Sequence, residues 1–371
     1  MFKLSVSAIS IVYCLIFSLA LLSCQSKRHK ILIGTYTTNE SEGIYLCSFD
    51  EGKEVLTLDG LAAKTENPSY LAITKSGDHI FAVNETRDGN VTSFNRDGNR
   101  LVQSGISTIN GEHPCYIDIS PDQQFIAVAN YTSGNFSTIR LTKDGNLDSS
   151  PVSWQHTGKG TDSTRQEAPH AHCAKWVDKS SFLIADLGID RILPYRIDND
   201  SKLEKVSEGT KMKDGCGPRH IVFHPHQDIV YAACELSNEV AVLEFDPVSF
   251  KLISKQYAST LPTDFDGSNT NADLHVSPDG KYLYVSNRGH NSIAAFKIMD
   301  NGQLNPTGHF PTRGEKPRNF TILPGGKHLL VANQDSNNIV AFRINSEDGS
   351  LEFTGSEIKV SSPVCLKSFN N

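Results

Sequence analysis

The 371-residue chain has no run of basic residues long enough to track a phosphate backbone, and its formal net charge is −7. No nucleic-acid partner is expected. None of its cysteines forms a C-x-x-C pair. Six of them, Cys47, Cys115, Cys173, Cys216, Cys234 and Cys365, follow the N-terminal region, and most lie in apolar, strand-like runs. A chain of this size needs no disulfide scaffold, so buried free thiols are expected, with one bridge left open in an oxidising envelope. No helical period separates the strand-like runs, which excludes an α/β barrel. There is no G-x-S-x-G elbow, so a serine-nucleophile mechanism has little support. No cofactor is expected.

Only one long uncharged run is present, Leu4 to Leu22, directly after Lys3. It reads as the apolar core of a secretory leader. It ends in "LLSC" (21–24), which resembles a bacterial lipobox with Cys24 as the lipidated residue. The expected organisation is a leader over 1–23, a short tether over 24–30 and one folded domain over 31–371. That places the protein at the bacterial cell envelope, periplasmic or surface-facing, held to the membrane through Cys24. The alternative is a plain transmembrane anchor, since the run is nearly long enough to span.

The remainder is built on repetition. "ILIGTYT", "IFAVNET", "IAVANYT", "FLIADLG", "VYAACELS", "LYVSNRG" and "LLVANQD" are variants of one phrase, recurring every 46 to 56 residues. Before six of them stands a second phrase: "NPSYLAIT", "HPCYIDIS", "APHAHCAK", "GPRHIVFH", "NADLHVSP" and "KPRNFTIL". Turn signals such as "SPDGK" link the two phrases, and a third apolar run follows, often ending in a hairpin signal such as "KDGN". With a fourth, weaker strand, each unit is a four-stranded antiparallel blade, and seven units make an all-β, seven-bladed β-propeller. The strands are named a to d outward from the axis. The first unit begins at strand b, and "SPVCLKSF" (362–369) at the C-terminus is a lone strand a. It is expected to complete the first blade and close the ring, which removes two open edges. A monomer is expected.

In such a blade the start of strand a and the end of strand b share one mouth of the central channel. That mouth collects His170, His172, Asp186, Arg219, His220, Glu235, Asp273, His275, Arg288 and Arg318. Tyr70, Tyr116 and Tyr131 stand on the side of the early blades. A pocket aromatic on one side and charged on the other suits a small ligand. Asn84, Asn130, Asn287 and Asn333 are better read as turn residues that cap strand ends.

The phrases "PHAH" (169–172), "DLG" (186–188), "GPRH" (217–220), "ELS" (235–237), "SNRGHNSI" (286–293) and "NQDSNNI" (333–339) carry a family resemblance. With them the chain resembles the seven-bladed propeller lactonases, which include bacterial 6-phosphogluconolactonases and fungal carboxymuconate lactonizing enzymes. The resemblance implies hydrolysis of a sugar lactone and a catalytic set of His170 (or His172), Arg219, Glu235 and Arg288. Lactone hydrolysis needs a base for water, a stabilised oxyanion and an acid for the leaving alkoxide. Glu235 or His170 suits the first role, and the arginines suit the oxyanion or a bound carboxylate or phosphate. His172, His220, Asp186, Asp273, His275, Arg318 and Tyr131 are expected to line the substrate. "HAH" also permits two metal ligands on one strand face, but no third is fixed by local spacing, so no metal is expected. Two other functions fit the same pocket: a non-catalytic envelope propeller that binds a carbohydrate or acidic ligand, and a muconate-type lactonizing enzyme.

Cys24→Ser is expected to move the protein from the membrane fraction to a soluble or uncleaved form, because a lipoprotein with several acyl chains partitions stably. Release of the unmutated protein by high salt, with no lipid mass on Cys24, would show that no such anchor exists.

Overall fold

Strand b of most repeats is apolar along its whole length, a pattern that suits a strand covered on both faces. In the computed structural model, which describes residues 27–148 and 150–369, that is the arrangement found. Every residue of Phe125–Asn130, Ser181–Asp186 and Ile229–Cys234 is buried. Each of these strands lies between its own sheet partners and the faces of the two adjacent blades. Outer strands such as Leu351–Lys359 are exposed at many positions.

The described residues form seven antiparallel sheets, each with the order a-b-c-d. Blade 4 adds one short strand, Thr210–Lys211, beside its strand c. The first blade takes its inner strand from the C-terminus: Pro363–Phe369 pairs with Arg28–Thr35, with Ile33 opposite Leu366. Strand b of blade 1 begins at Arg28, so three residues expected in the tether belong to the sheet. The leader and Cys24 lie outside the described residues. The four asparagines are structural, as expected of them. Asn84 accepts a bond from Thr92 Oγ1, and Asn287 and Asn333 donate to the backbone oxygens of Thr260 and Thr312.

One backbone irregularity recurs at the mouth. The a–b register slips at the start of strand a in six blades, between Pro114 and Tyr116, Ala171 and Cys173, Pro218 and Ile221, Asn271 and Leu274, and Pro317 and Asn319, and opposite Gly34–Thr35 in blade 1. Each slip is a β-bulge, which leaves an extra residue on strand a and re-aims its side chain. The residues within the slips include Cys115, His172, Arg219, His220, Asp273 and Arg318. Strict alternation would send half of them away from their neighbours; the bulges explain how adjacent Arg219 and His220 both serve the axis.

Two motif glycines are demanded by the same crowding. A Cβ on Gly188 would stand 2.0 Å from Ala168 O, against the loop that carries "PHAH". Gly217 combines φ of +60° with a Cβ position 2.6 Å from Leu236 Cγ. No larger residue fits either place without moving the backbone that holds His170 or Arg219.

Deleting residues 363–371 is expected to lower the melting temperature of the whole ring. Val364, Cys365 and Leu366 are each at most 2% exposed, and burial of an aliphatic side chain is worth roughly 1.5–3 kcal/mol. The deletion would also open a strand edge on blade 1. A truncated protein that melts with the full chain would refute closure by this strand.

Candidate functional site

The centre of the mouth is one carboxylate among arginines. Glu235 follows strand b of blade 5 (Ile229–Cys234), is 4% exposed, and has its backbone N–H bound to Gly217 O at 2.8 Å. Its Oε2 lies 2.9 Å from Arg219 Nε and 2.9 Å from Arg288 Nη2. Its Oε1 accepts a bond from Arg165 Nη2 at 2.7 Å. Burial alone would raise the pKa of this carboxyl, but Arg288, Arg219 and Arg165 outweigh it and hold it down to about 2. Burial with repulsion from Arg219 and Arg318 lowers Arg288 to about 10, against the pull of Glu235.

The arginines are held from behind. Arg219 Nη1 donates to Ala272 O at 2.8 Å, and Arg288 Nη2 to Asn271 O at 2.9 Å. Arg219 Nη1 also stands 3.1 Å from His220 Nε2. Burial, then Arg219, pushes His220 down to about 3, so its ring is neutral. Its Nδ1 therefore carries the proton, bound to Asp273 Oδ1 at 2.8 Å, and Nε2 faces Arg219 with a lone pair. The other oxygen of Asp273 is taken by His275 Nε2, at 2.9 Å, and by Asn319 Nδ2. These bonds hold Asp273 well below the usual carboxylate range despite its burial.

Beside this core are buried donors without good acceptors. The Nε–H groups of Arg219 and Arg288 make no well-formed hydrogen bond among the described residues, although Arg219 Nε is close to Glu235. Arg318 has no ion pair or hydrogen bond among them; its guanidinium lies 5.4 Å from the centre of the Tyr36 ring. Tyr36 OH in turn donates to both oxygens of Glu85, at 3.0 and 2.9 Å. Arg165, Arg219 and Arg288 thus pair with Glu235, and Arg318 stands over a tyrosine whose hydroxyl is bound to Glu85.

On the blade 3–4 side, His170 stacks on Tyr131 with ring centres 4.6 Å apart, and its Nδ1 is 2.9 Å from Tyr131 O. Tyr131 OH accepts from Arg165 at 3.2 Å, which joins this side to Glu235. His172 sits deeper, against Cys115 Sγ at 3.5 Å. Burial, Arg219 and His220 keep its pKa well below the usual imidazole value.

Glu235, Arg219 and Arg288 therefore meet, with Arg318, Tyr131, His170 and His172 around them. Four expected substrate contacts are corrected: Asp186, His275, Asp273 and His220, the last being buried between Asp273 and Arg219. Asp186 is wholly buried; Oδ1 accepts the backbone N–H groups of His170 and Gly188, and Oδ2 is bound to His156 Nδ1. It pins the "PHAH" turn from behind. His275 lies two residues further along strand a than Asp273 and is committed to that carboxylate, with its ring edge-on to Phe320. Asp273 itself is spent on His220, His275 and Asn319. Tyr70 and Tyr116 stack on each other, 4.3 Å between centres, with His220 edge-on to both, and fill the axis rather than wall the mouth.

Among the cysteines, the one bridge that the sequence left open is found, between Cys216 and Cys234, and the other described thiols, Cys47, Cys115, Cys173 and Cys365, are free and buried as expected. The bridge joins the turn before Arg219 to the residue before Glu235. Eighteen residues separate the pair in sequence, and only the a–b pairing, with Pro218 opposite Cys234, brings them together. Arg165 was missed because it lies in a connection, neither at the start of a strand a nor at the end of a strand b; Tyr36 and Glu85 stand directly after the strands b of blades 1 and 2, where the same rule puts them at the mouth, and were not singled out. A signal for Arg165 existed: it falls in the longest step of the repeat, 56 residues, between Asn130 and Asp186.

Glu235→Gln is expected to destabilise the fold as well as disable the site, by about 3–5 kcal/mol, because it leaves buried guanidinium groups facing no anion. The folded pKa of Glu235 is depressed, so its contribution is present above the unfolded value of about 4.3 and is lost as pH falls towards about 2. Denaturant titrations of both proteins from pH 7 to pH 3 should show the gap narrowing below about pH 4. A gap independent of pH would mean that Glu235 does not stabilise the fold as an anion.

Comparison with known proteins agrees with this architecture. The family model described as "Lactonase, 7-bladed beta-propeller" matches residues 30–368. A 6-phosphogluconolactonase of Bacillus subtilis is 36% identical over 340 residues, covering 90% of this chain and 97% of its own. Another protein of that name, from Formosa agariphila, is 33% identical over 306 residues, covering 79% and 86%. The solved structure of a periplasmic gluconolactonase from Pseudomonas aeruginosa superposes with a TM-score of 0.88 at 29% identity, covering 93% of this chain and 99% of that one. The chain belongs to the seven-bladed β-propeller lactonase family.

Proposed function

We propose that this protein hydrolyses a sugar lactone at the arginine-lined mouth, with an anionic lactone such as 6-phosphogluconolactone preferred over a neutral one. The observation that carries the reading is a buried carboxylate between Arg219 and Arg288, whose Nε–H donors lack good acceptors, beside Arg318 with no anionic partner. Buried donors without acceptors are costly in a resting protein and suit a site that completes itself with a ligand oxygen. Two lactonase relatives carry the 6-phosphogluconolactonase name over most of this chain, which supports the same substrate class.

In this reading a base takes a proton from water, the oxygen adds to the lactone carbonyl carbon, and Arg219 and Arg288 stabilise the tetrahedral oxyanion. The ring C–O bond then breaks, and the alkoxide takes a proton to give the open hydroxy acid. Glu235 is the proposed base, with His170 beside it as the alternative. Arg318 receives the substrate's anionic group. His220 and Asp273 orient Arg219, and Tyr131 and His172 shape the wall. No step uses a cofactor.

We place the enzyme at the cell envelope through a lipid on Cys24. Support comes from the uncharged run before "LLSC" and from the exit point of the chain. Thr35 stands at the mouth end of strand b in blade 1, so Arg28 stands at the opposite face. A tether leaving there would turn the mouth away from the membrane.

Proton release with 6-phosphogluconolactone and with gluconolactone, each against buffer, tests the activity. A bidentate charge-assisted contact predicts a preference of about ten- to a hundredfold in kcat/KM for the phosphorylated substrate. Arg318→Ala should narrow it. Glu235→Gln, in protein shown to be folded, should lose about 10²–10⁴-fold. A preference for the neutral lactone would assign the site to neutral sugar lactones, and a gap untouched by Arg318→Ala would take the anion contact away from Arg318. Binding of 6-phosphogluconate without turnover of either lactone would make it a binding propeller.

A further inference from the structure

The lactonase reading leaves a difficulty at Glu235. A carboxylate paired with three arginines is a poor base, because its proton affinity has been spent on ion pairs. The three clamps are not equivalent. Arg219 and Arg288 rise from strands, bind Oε2 and are anchored by backbone oxygens. Arg165 comes from the loop between blades 3 and 4 and alone binds Oε1. Its side chain is 37% exposed, against 2% for Arg219 and 13% for Arg288.

The loop itself is firmly built. Asp162 Oδ1 accepts the backbone N–H groups of Thr164 and Arg165, at 2.9 and 3.1 Å. Gln166 Oε1 accepts those of Thr161 and Asp162, both at 3.0 Å, and its Nε2 donates to Leu187 O and Asp190 Oδ1, both at 2.8 Å. None of these bonds involves the guanidinium of Arg165. Its outer reach is held only by Glu235 Oε1 and Tyr131 OH. A fixed loop thus presents one arginine head that can leave without unfolding anything.

We infer that Arg165 is a specificity arm that trades Glu235 for the anionic group of the substrate. In the resting site it masks Oε1. An entering phosphate or carboxylate offers a stronger, bidentate partner at the exposed end of the Arg165 side chain. When Arg165 turns to it, Oε1 is released to accept a proton from water, while Arg219 and Arg288 stay on Oε2 and in reach of the carbonyl oxygen. The substrate's charge therefore unmasks the base, and a neutral lactone leaves it masked. The charged or titratable groups around Glu235 are Arg165 from the loop, Tyr131 of blade 3, His170 of blade 4 with Glu167 paired to it, Arg219 of blade 5, Arg288 of blade 6 and Arg318 of blade 7. The arm is the member of this set that is both paired to Glu235 and open to solvent.

The inference rests on the proposed lactonase activity, and Arg165→Gln separates the two. Turnover of 6-phosphogluconolactone should fall about ten- to a hundredfold in kcat/KM, while turnover of gluconolactone should rise because the base is no longer masked. The acid limb of the pH profile of kcat/KM, which reports the free enzyme, should move to higher pH for both substrates, since activity is lost as Glu235 protonates and removal of Arg165 raises its pKa. Arg165→Lys, which keeps the charge but not the fork, should retain part of the preference. Equal losses on both lactones, or an unmoved acid limb, would reduce Arg165 to a structural residue and overturn the arm. If the unmutated protein turns over neither lactone, the lactonase reading fails. Calorimetric binding of 6-phosphogluconate then decides the arm: tenfold weaker binding by Arg165→Gln upholds it as the anion contact, and unchanged affinity overturns it.

Discussion

Guanidinium groups from four parts of the ring converge on a space that water scarcely reaches, and Glu235 is the carboxylate that makes this tolerable. Without it, Arg219 and Arg288 would be like charges in a desolvated channel, each raising the cost of the other. The pairing has a geometric consequence. Arg219 belongs to blade 5 and Arg288 to blade 6, so their shared oxygen stitches two blades at the axis. Arg165 extends the stitch to the loop ahead of blade 4. Site electrostatics and ring cohesion are the same set of bonds.

Behind that set the polar groups are satisfied in order, each fixing the next. Asp273 fixes the proton of His220 on Nδ1, and His220 then turns its lone pair to Arg219. Asp186 fixes the backbone at His170, which stacks on Tyr131, which meets Arg165. The disulfide between Cys216 and Cys234 ties together the two segments that carry Arg219 and Glu235. A preorganised donor array of this kind stabilises developing negative charge without having to reorganise during the reaction. The open bonding capacity in the array is the Nε–H groups and Arg318.

The ring was legible because a propeller is written as repetition. Each strand b is an apolar phrase ending in a polar turn, and the lone C-terminal strand has no partner except blade 1. Strand polarity alone puts the starts of strands a and the ends of strands b at one mouth, which located Glu235, Arg219, Arg288 and Arg318. Asp186 looked like a site residue for the same reason, since it ends a strand b. Its partner His156 is 30 residues upstream, in the connection between two blades, and nothing in the repeat marks that contact.

The sequence by itself determined the number of blades, the strand order, the closure and which residues stand at the mouth, because these follow from periodicity and antiparallel pairing. Only the tertiary structure decided which of those residues face one another. The β-bulges at the starts of the inner strands aim Arg219, His220, His172 and Arg318, and a bulge is a one-residue slip that no alternating pattern records. The contact of Arg165 with Glu235 depends on how a loop lies across the closed ring. That is set by packing around the axis, where segments far apart in the chain meet, and not by any local preference of the residues themselves.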